Sequence, residues 1–237
     1  MNAIFRRDLR SYLTSPLGYV YIAAFFLVTA VRFLTTNVVA GRSDLFHVFD
    51  YMASFLIFAT PLLTMRLFSE EFKLKTDQLL FTSPVQVIHI VMGKFFAALT
   101  LFLFVMTLGL IFPLTVAQFG TVNVGGVFGH YVALIFAAAA FIAIGLFFSA
   151  LTESQLISAL TTLGFLLALL QLDQASRQWT SGFLRYVAAV VGHISIFRRY
   201  ELFTRGLFSL ASLVFYLSVC AFFLFLTARV IERKRYR

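Results

Sequence analysis

Six stretches of the chain, 17–36, 48–67, 95–117, 129–151, 155–172 and 207–228, are apolar over nearly their whole length. A helix needs about 20 such residues to cross a hydrocarbon core of roughly 30 Å. In lipid, every backbone N–H and C=O must find its partner within its own segment or in a closed barrel, and runs this long fit helices. Composition points the same way. Of 237 residues, 61% are hydrophobic and 12% charged, and the 31 Phe outnumber the 19 Lys and Arg combined. A soluble domain of this size is about a quarter charged and buries only about three quarters of its unfolded surface. A water-soluble enzyme, a disordered regulator and a free nucleic-acid binder are thereby excluded. The expected fold class is an all-α integral membrane protein with six transmembrane helices.

The cations set the expected topology. An even number of spans puts both termini on one side, and that side collects Arg6, Arg7, Arg10, Arg66, Lys73, Lys75, Lys94, Arg229, Arg233, Lys234, Arg235 and Arg237. By the positive-inside rule this side is cytoplasmic. The net charge of +9 therefore reads as a topology signal, and no nucleic-acid partner is expected. No A-x-A-like site follows the first apolar stretch, so it is read as a span and not a cleaved signal. Pro61 and Pro113 fall inside spans two and three and should bend them. Thr152, Glu153 and Ser154 alone separate spans four and five, which requires a tight helical hairpin.

Three further segments carry more than a connector needs. Over residues 2–14, Phe5, Leu9, Tyr12 and Leu13 recur at helical spacing while Arg6, Arg7, Asp8 and Arg10 fall elsewhere on the wheel, the pattern of an interfacial helix or of a plain basic anchor. The 68–94 loop packs Glu70, Glu71, Lys73, Lys75 and Asp77 into a dense charge cluster ahead of Leu79, Leu80 and Phe81. A short helix with a charged face and an apolar end suits docking to a soluble partner. On the other side, 173–206 is long and semi-apolar, with Phe183, Leu184, Val187, Val191 and Ile194 roughly on one helical face, as in a helix lying at the outer interface.

Catalytic chemistry is not encoded. There is no G-x-x-x-x-G-K-[ST] loop, no G-x-S-x-G and no H-E-x-x-H, and His47, His89, His130 and His193 read as separate surface or interfacial residues. Glu70-Glu71 with Lys75 approaches the E-E-x-x-x-R pattern of an intramembrane protease, but the cation is Lys and the required His contexts are missing. The lone Cys220 forms no internal disulfide and no metal site. No charge sits at mid-span, Arg32 and Arg66 both lying near span ends, which disfavours an ion-coupled carrier. Gly145 and Ser149, with Ser158, Thr162, Gly164 and Ala168, give small-x-x-x-small spacings that allow close helix approach. Thr161 and Thr162 either pack there or line a path, and packing is the favoured reading.

The 68–94 loop also carries a resemblance. Glu70-Glu71, then Lys75-Thr76-Asp77-Gln78-Leu79-Leu80, Thr82-Ser83-Pro84-Val85 and Gly93-Lys94, resembles the ABC-2 type transporter permeases. The opening Asp8-Leu9-Arg10, Tyr12, Ser15-Pro16 and Gly18-Tyr19-Val20 is similar to their gliding-motility-type subgroup. So are His193-Ile194-Ser195, Phe203-Thr204-Arg205-Gly206, Tyr216-Leu217-Ser218 and the basic end after Arg229. The resemblance implies a single transmembrane domain over 1–237. Residues 2–14 become an N-terminal elbow helix carrying Phe5, Arg6, Arg7, Leu9 and Arg10, and 68–94 a cytosolic coupling helix. Short re-entrant or interfacial helices precede the last span. It further implies a second permease chain, identical or paralogous, and ABC ATPase subunits docked at Glu70, Glu71, Lys73, Lys75, Thr76, Leu79 and Pro84. ATP and Mg then belong to the partner, and this chain binds no cofactor or metal. Membrane lipid and an outer-face accessory protein are the other expected partners, and the bacterial cytoplasmic (inner) membrane the expected location. The competing expectation is a channel or scaffold that needs no nucleotide.

Overall fold

A computed structural model describes residues 1–76, 86–178, 191–192, 195–204 and 210–235. Among them all regular structure is helical: α1 (Asn2–Thr14), α2 (Pro16–Phe33, continuing as a π-turn over Leu34–Val38), α3 (Phe46–Thr64), α4 (Ser69–Lys73), α5 (Val87–Gly109), α6 (Ile111–Phe119), α7 (Val124–Leu151), α8 (Gln155–Gln178), α9 (Ile196–Thr204) and α10 (Leu210–Arg235). Six of the resulting helical stretches are long and apolar enough to cross a membrane, consistent with a multi-pass membrane protein.

The spans agree with the apolar runs at their centres and differ at their ends. The third begins at Val87, eight residues before the expected 95, because Val87, Ile90 and Val91 are buried against neighbouring helices. It breaks at Leu110, three residues before Pro113. Pro113 has no N–H to donate and its ring crowds the carbonyl of Gly109, so the bend precedes the proline. Pro61 sits inside α3, which ends at Thr64. The fifth span runs to Gln178, past the expected 172, because Arg177 pairs with Asp173 one turn earlier, Nη2 to Oδ2 at 2.9 Å. Residues 207–209 at the expected start of the last span lie outside the described residues.

The central helix is α7, against which α3, α5, α8, α9 and α10 all pack. Its run Ala137–Ala140, with Ala143 and Gly145, presents almost no side-chain bulk, so neighbours approach on several sides. The closest approach is at Gly145, where an added Cβ would lie 2.2 Å from Thr64 Oγ1. At the other extreme, most of α8 faces outward, as a helix does that meets lipid or another chain.

α1 and the last turn of α10 lie at the same end of the bundle. There α1 packs on the start of α5, and Lys234, near the end of α10, sits 3.8 Å above the Phe72 ring just after α3. Ser15 ends α1, Pro16 opens α2 at its first turn, where a missing N–H costs nothing, and the chain turns so sharply that a Cβ on Gly18 would come 2.0 Å from the Tyr12 carbonyl oxygen.

Candidate functional site

The charge cluster of the 68–94 segment is built on a turn that α7 holds in place. After α3 ends, Met65–Phe68 form a tight turn whose Phe68 and Ser69 N–H groups both donate to Ser149 Oγ of α7, at 3.1 and 3.2 Å. That hydroxyl in turn donates to the Met65 carbonyl at 3.3 Å. One serine thus satisfies three groups that the helix end leaves without partners. The short α4 follows, and its end is closed by two bonds, Lys75 N–H to Phe72 O at 3.2 Å and Thr76 N–H to Glu71 O at 3.0 Å. With Lys75 at φ 54°, this is a Schellman ending in which a lysine takes the left-handed position glycine usually holds. It turns Lys73, Leu74, Lys75 and Thr76 out to the surface, all four exposed.

The two glutamates of the cluster face the other way. Glu71 accepts from Lys94 Nζ at 2.9 Å and pairs with Arg7, while Asp8 accepts from Lys94 Nζ at 3.1 Å and from Arg7 Nε at 2.8 Å. Two cations and two carboxylates therefore close a neutral ring joining α1, α4 and α5. Lys94 is only 2% exposed, with the Phe68 ring 5.1 Å from its ammonium. Burial alone would lower the Arg7 pKa, but the Asp8 and Glu71 carboxylates outweigh it and raise it. Glu70 pairs instead with Arg66, Nε to Oε2 at 2.7 Å, and Arg66 also reaches Ser15 Oγ at 3.1 Å. Tyr12, its pKa raised by burial first and the Asp8 charge second, stays neutral and donates to the Leu63 carbonyl at 2.7 Å. A cavity of about 200 Å³ opens between these groups.

The structure therefore separates the expected contact residues. Lys73, Lys75 and Thr76 present to the surface, Glu70 and Glu71 turn inward as ties, and Leu79 and Pro84 lie outside the described residues. On α1, Arg6, Arg7 and Arg10 are exposed and Phe5 and Leu9 half-buried, but Asp8 is buried with Tyr12. Asp8 thus belongs to the inner face and not to the polar one, since Lys94 compensates its charge. Of the small residues, Ser158 and Thr162 are buried, while Thr161 and Gly164 face outward, with nothing within 4 Å of a Cβ placed on Gly164. The expected Val191 is half-buried; Phe183, Leu184, Val187 and Ile194 lie outside the described residues, as does His193. His130 corrects the surface reading. It is 5% exposed and stacks on Phe49 with ring centres 4.8 Å apart, because α7 begins at Val124 and carries it into the bundle.

Sequence reasoning passed over a second ionic group at the opposite end. Asp173, 2% exposed, accepts from Arg177 and, at 3.0 Å, from Arg198 of α9; Arg177 also pairs with Glu201 at 2.6 Å. Tyr200 and Tyr216 hold α9 in place by donating to the Phe49 and Ile196 carbonyls. Asp50, inside the second apolar run, stands beside this group. The signal for the α8 pair was the i,i+4 spacing of Asp173 and Arg177; Arg198 is distant in sequence and offered none. Among the described residues no three His, Cys, Asp or Glu side chains converge as a metal site would require. Set against models of known families and against characterised proteins, the chain matches none.

Proposed function

We propose that this chain is the transmembrane permease subunit of an ATP-binding-cassette exporter, coupling ATP hydrolysis in a separate subunit to export or to work on a partner outside the cytoplasm. The observation that supports it best is the two-sided build of the segment after α3. Its exposed face, Lys73 to Thr76, offers cations and a free apolar side chain to a soluble partner. Its inner face ties through Glu71 to both α1 and α5. A push on such a segment reaches two helices through charge pairs that resist separation, because pulling them apart would leave charges buried without partners.

In this reading α1 is the elbow helix, α4 with residues 74–86 is the coupling segment, and both termini are cytoplasmic. Ile196–Thr204 serves as an interfacial helix on the outer side. The outward faces of α8 and α2 meet lipid and a second permease chain.

The test is the double variant Lys73→Glu with Lys75→Glu, expressed together with an ABC-type ATPase that co-purifies with the unaltered chain; if no such ATPase co-purifies, the exporter reading falls. Both side chains are exposed and outside the Asp8–Lys94 ring, so the fold should survive. We expect ATPase retention on the purified complex to fall at least tenfold. Unchanged retention and turnover would remove the docking assignment, and a chain that conducts or scaffolds without any ATPase would establish the competing reading.

A further inference from the structure

Asp50 lies one turn into α3, a helix that is otherwise apolar from Val48 to Leu63 apart from Ser54 and Thr60. Its carboxylate makes no ion pair or side-chain hydrogen bond among the described residues. It lines a cavity of about 280 Å³ with Ile57, Phe141, Leu170, Phe197 and Tyr200, at the end of the bundle opposite the Asp8–Lys94 ring. The neighbouring charges are accounted for, Asp173 by Arg198 and Glu201 by Arg177. Arg32 and His47 act on the Asp50 charge only from a distance, and neither forms an ion pair with it.

An ionisable side chain with no ion pair on an apolar membrane helix is a candidate binding site. The walls decide the chemistry of what compensates it. Metal ions are poorly served, because no metal-binding cluster of His, Cys, Asp and Glu forms among the described residues. Of the other charged lining residues, Asp173 and Glu201 are held by Arg177, and apart from Ser54 and Gln174 the rest of the wall is aliphatic and aromatic. Aromatic faces attract organic cations, and a largely apolar pocket in which Asp50 is the charge without an ion pair fits a ligand with an apolar body. Asp50, Ser54 and Gln174 are exposed at its rim, so the cavity opens on the flank of the bundle, where an amphiphile in the bilayer can reach it.

We propose that this cavity binds an amphiphilic organic cation, with its charged head at Asp50 and its apolar body along Ile57, Leu170 and the Phe141–Phe197 pair. The binding assignment stands without the exporter reading. Its extension, that such cations are the cargo class, rests on that reading.

The experiment measures binding of labelled 4-phenylbutyltrimethylammonium to the purified chain in maltoside micelles. The control is the neutral isostere in which carbon replaces the quaternary nitrogen. We expect saturable binding of the cation at least tenfold tighter than the isostere, a tenfold or greater loss in Asp50→Asn, and retention in Asp50→Glu. Ala53→Phe, which fills the cavity without touching the charge, should abolish binding while leaving the melting temperature unchanged, so misfolding cannot imitate the result. Equal affinity for the isostere, or an unaltered Asp50→Asn, would overturn the site. Displacement by stoichiometric phosphatidylcholine would identify the cation as a lipid headgroup; failure to displace would identify a free amphiphile. With the ATPase present, binding without cation-stimulated turnover keeps the site and removes the cargo extension.

Discussion

Lys94 is buried, and Asp8 and Glu71 stand at 3.1 and 2.9 Å from its ammonium as its ion-pair partners. Desolvating such a ring is expensive, and the ring is worth little compared with an apolar core of the same shape; breaking it is another matter, because a buried charge is then left alone. Lys94→Met should destabilise the chain by about 3–5 kcal/mol, read as a lower midpoint in denaturant titration in micelles. Lys94→Met combined with Asp8→Asn should recover a good part of that loss, since the second change removes one of the abandoned carboxylates. Simple addition of the two penalties would show that the groups do not form one unit. Neither residue was marked by local pattern. Asp8 sits among arginines on a wheel that reads as a polar face, and Lys94 follows Gly93 at the head of an apolar run. Their pairing joins positions 86 residues apart.

At the scale of elements, two glycines of the same sequence class take opposite roles. Gly145 lies where α7 meets α3, and its missing Cβ makes room for Thr64. Gly164 lies on the outward face of α8 with empty space around it. Gly145→Ala should therefore cost about 1–3 kcal/mol through overpacking, and Thr64→Ala in the same chain should relieve most of it by removing the atoms in the way. Gly164→Ala should change the isolated chain by less than about 0.5 kcal/mol, or stabilise it slightly, because alanine favours a helix. Thermal unfolding in micelles separates the two. If Gly164→Ala proves as damaging as Gly145→Ala, the outward face of α8 is covered by another chain under the conditions of measurement. Small-x-x-x-small spacing announces that helices can approach. It does not say which glycine is used within the chain, since that depends on the rotation of each helix about its own axis.

For the whole molecule, six apolar runs and the placement of the cations carry most of what matters about architecture. They predict that single cysteines at Arg10 and Lys75, in a Cys220→Ala background, resist a membrane-impermeant maleimide in intact cells and react once the membrane is opened. A cysteine at Ser43 should react in both. The reverse pattern would invert the topology and with it the side on which an ATPase docks. The sequence by itself determined the number of spans, the charged segment after the second span and the amphipathic start, because these follow from the local periodicity of apolar residues and from charge counted along the chain. Only the tertiary structure decided that α7 is the hub, that Glu70 and Glu71 face inward while Lys73 and Lys75 face outward, and that Asp50 lines a cavity without an ion pair among the described residues. The physical reason is that burial and charge compensation are settled between segments distant in sequence. A carboxylate such as Asp8 or Asp50 looks alike on the helical wheel, and only the tertiary structure gives one a direct ion pair with Lys94 and leaves the other lining a cavity without one.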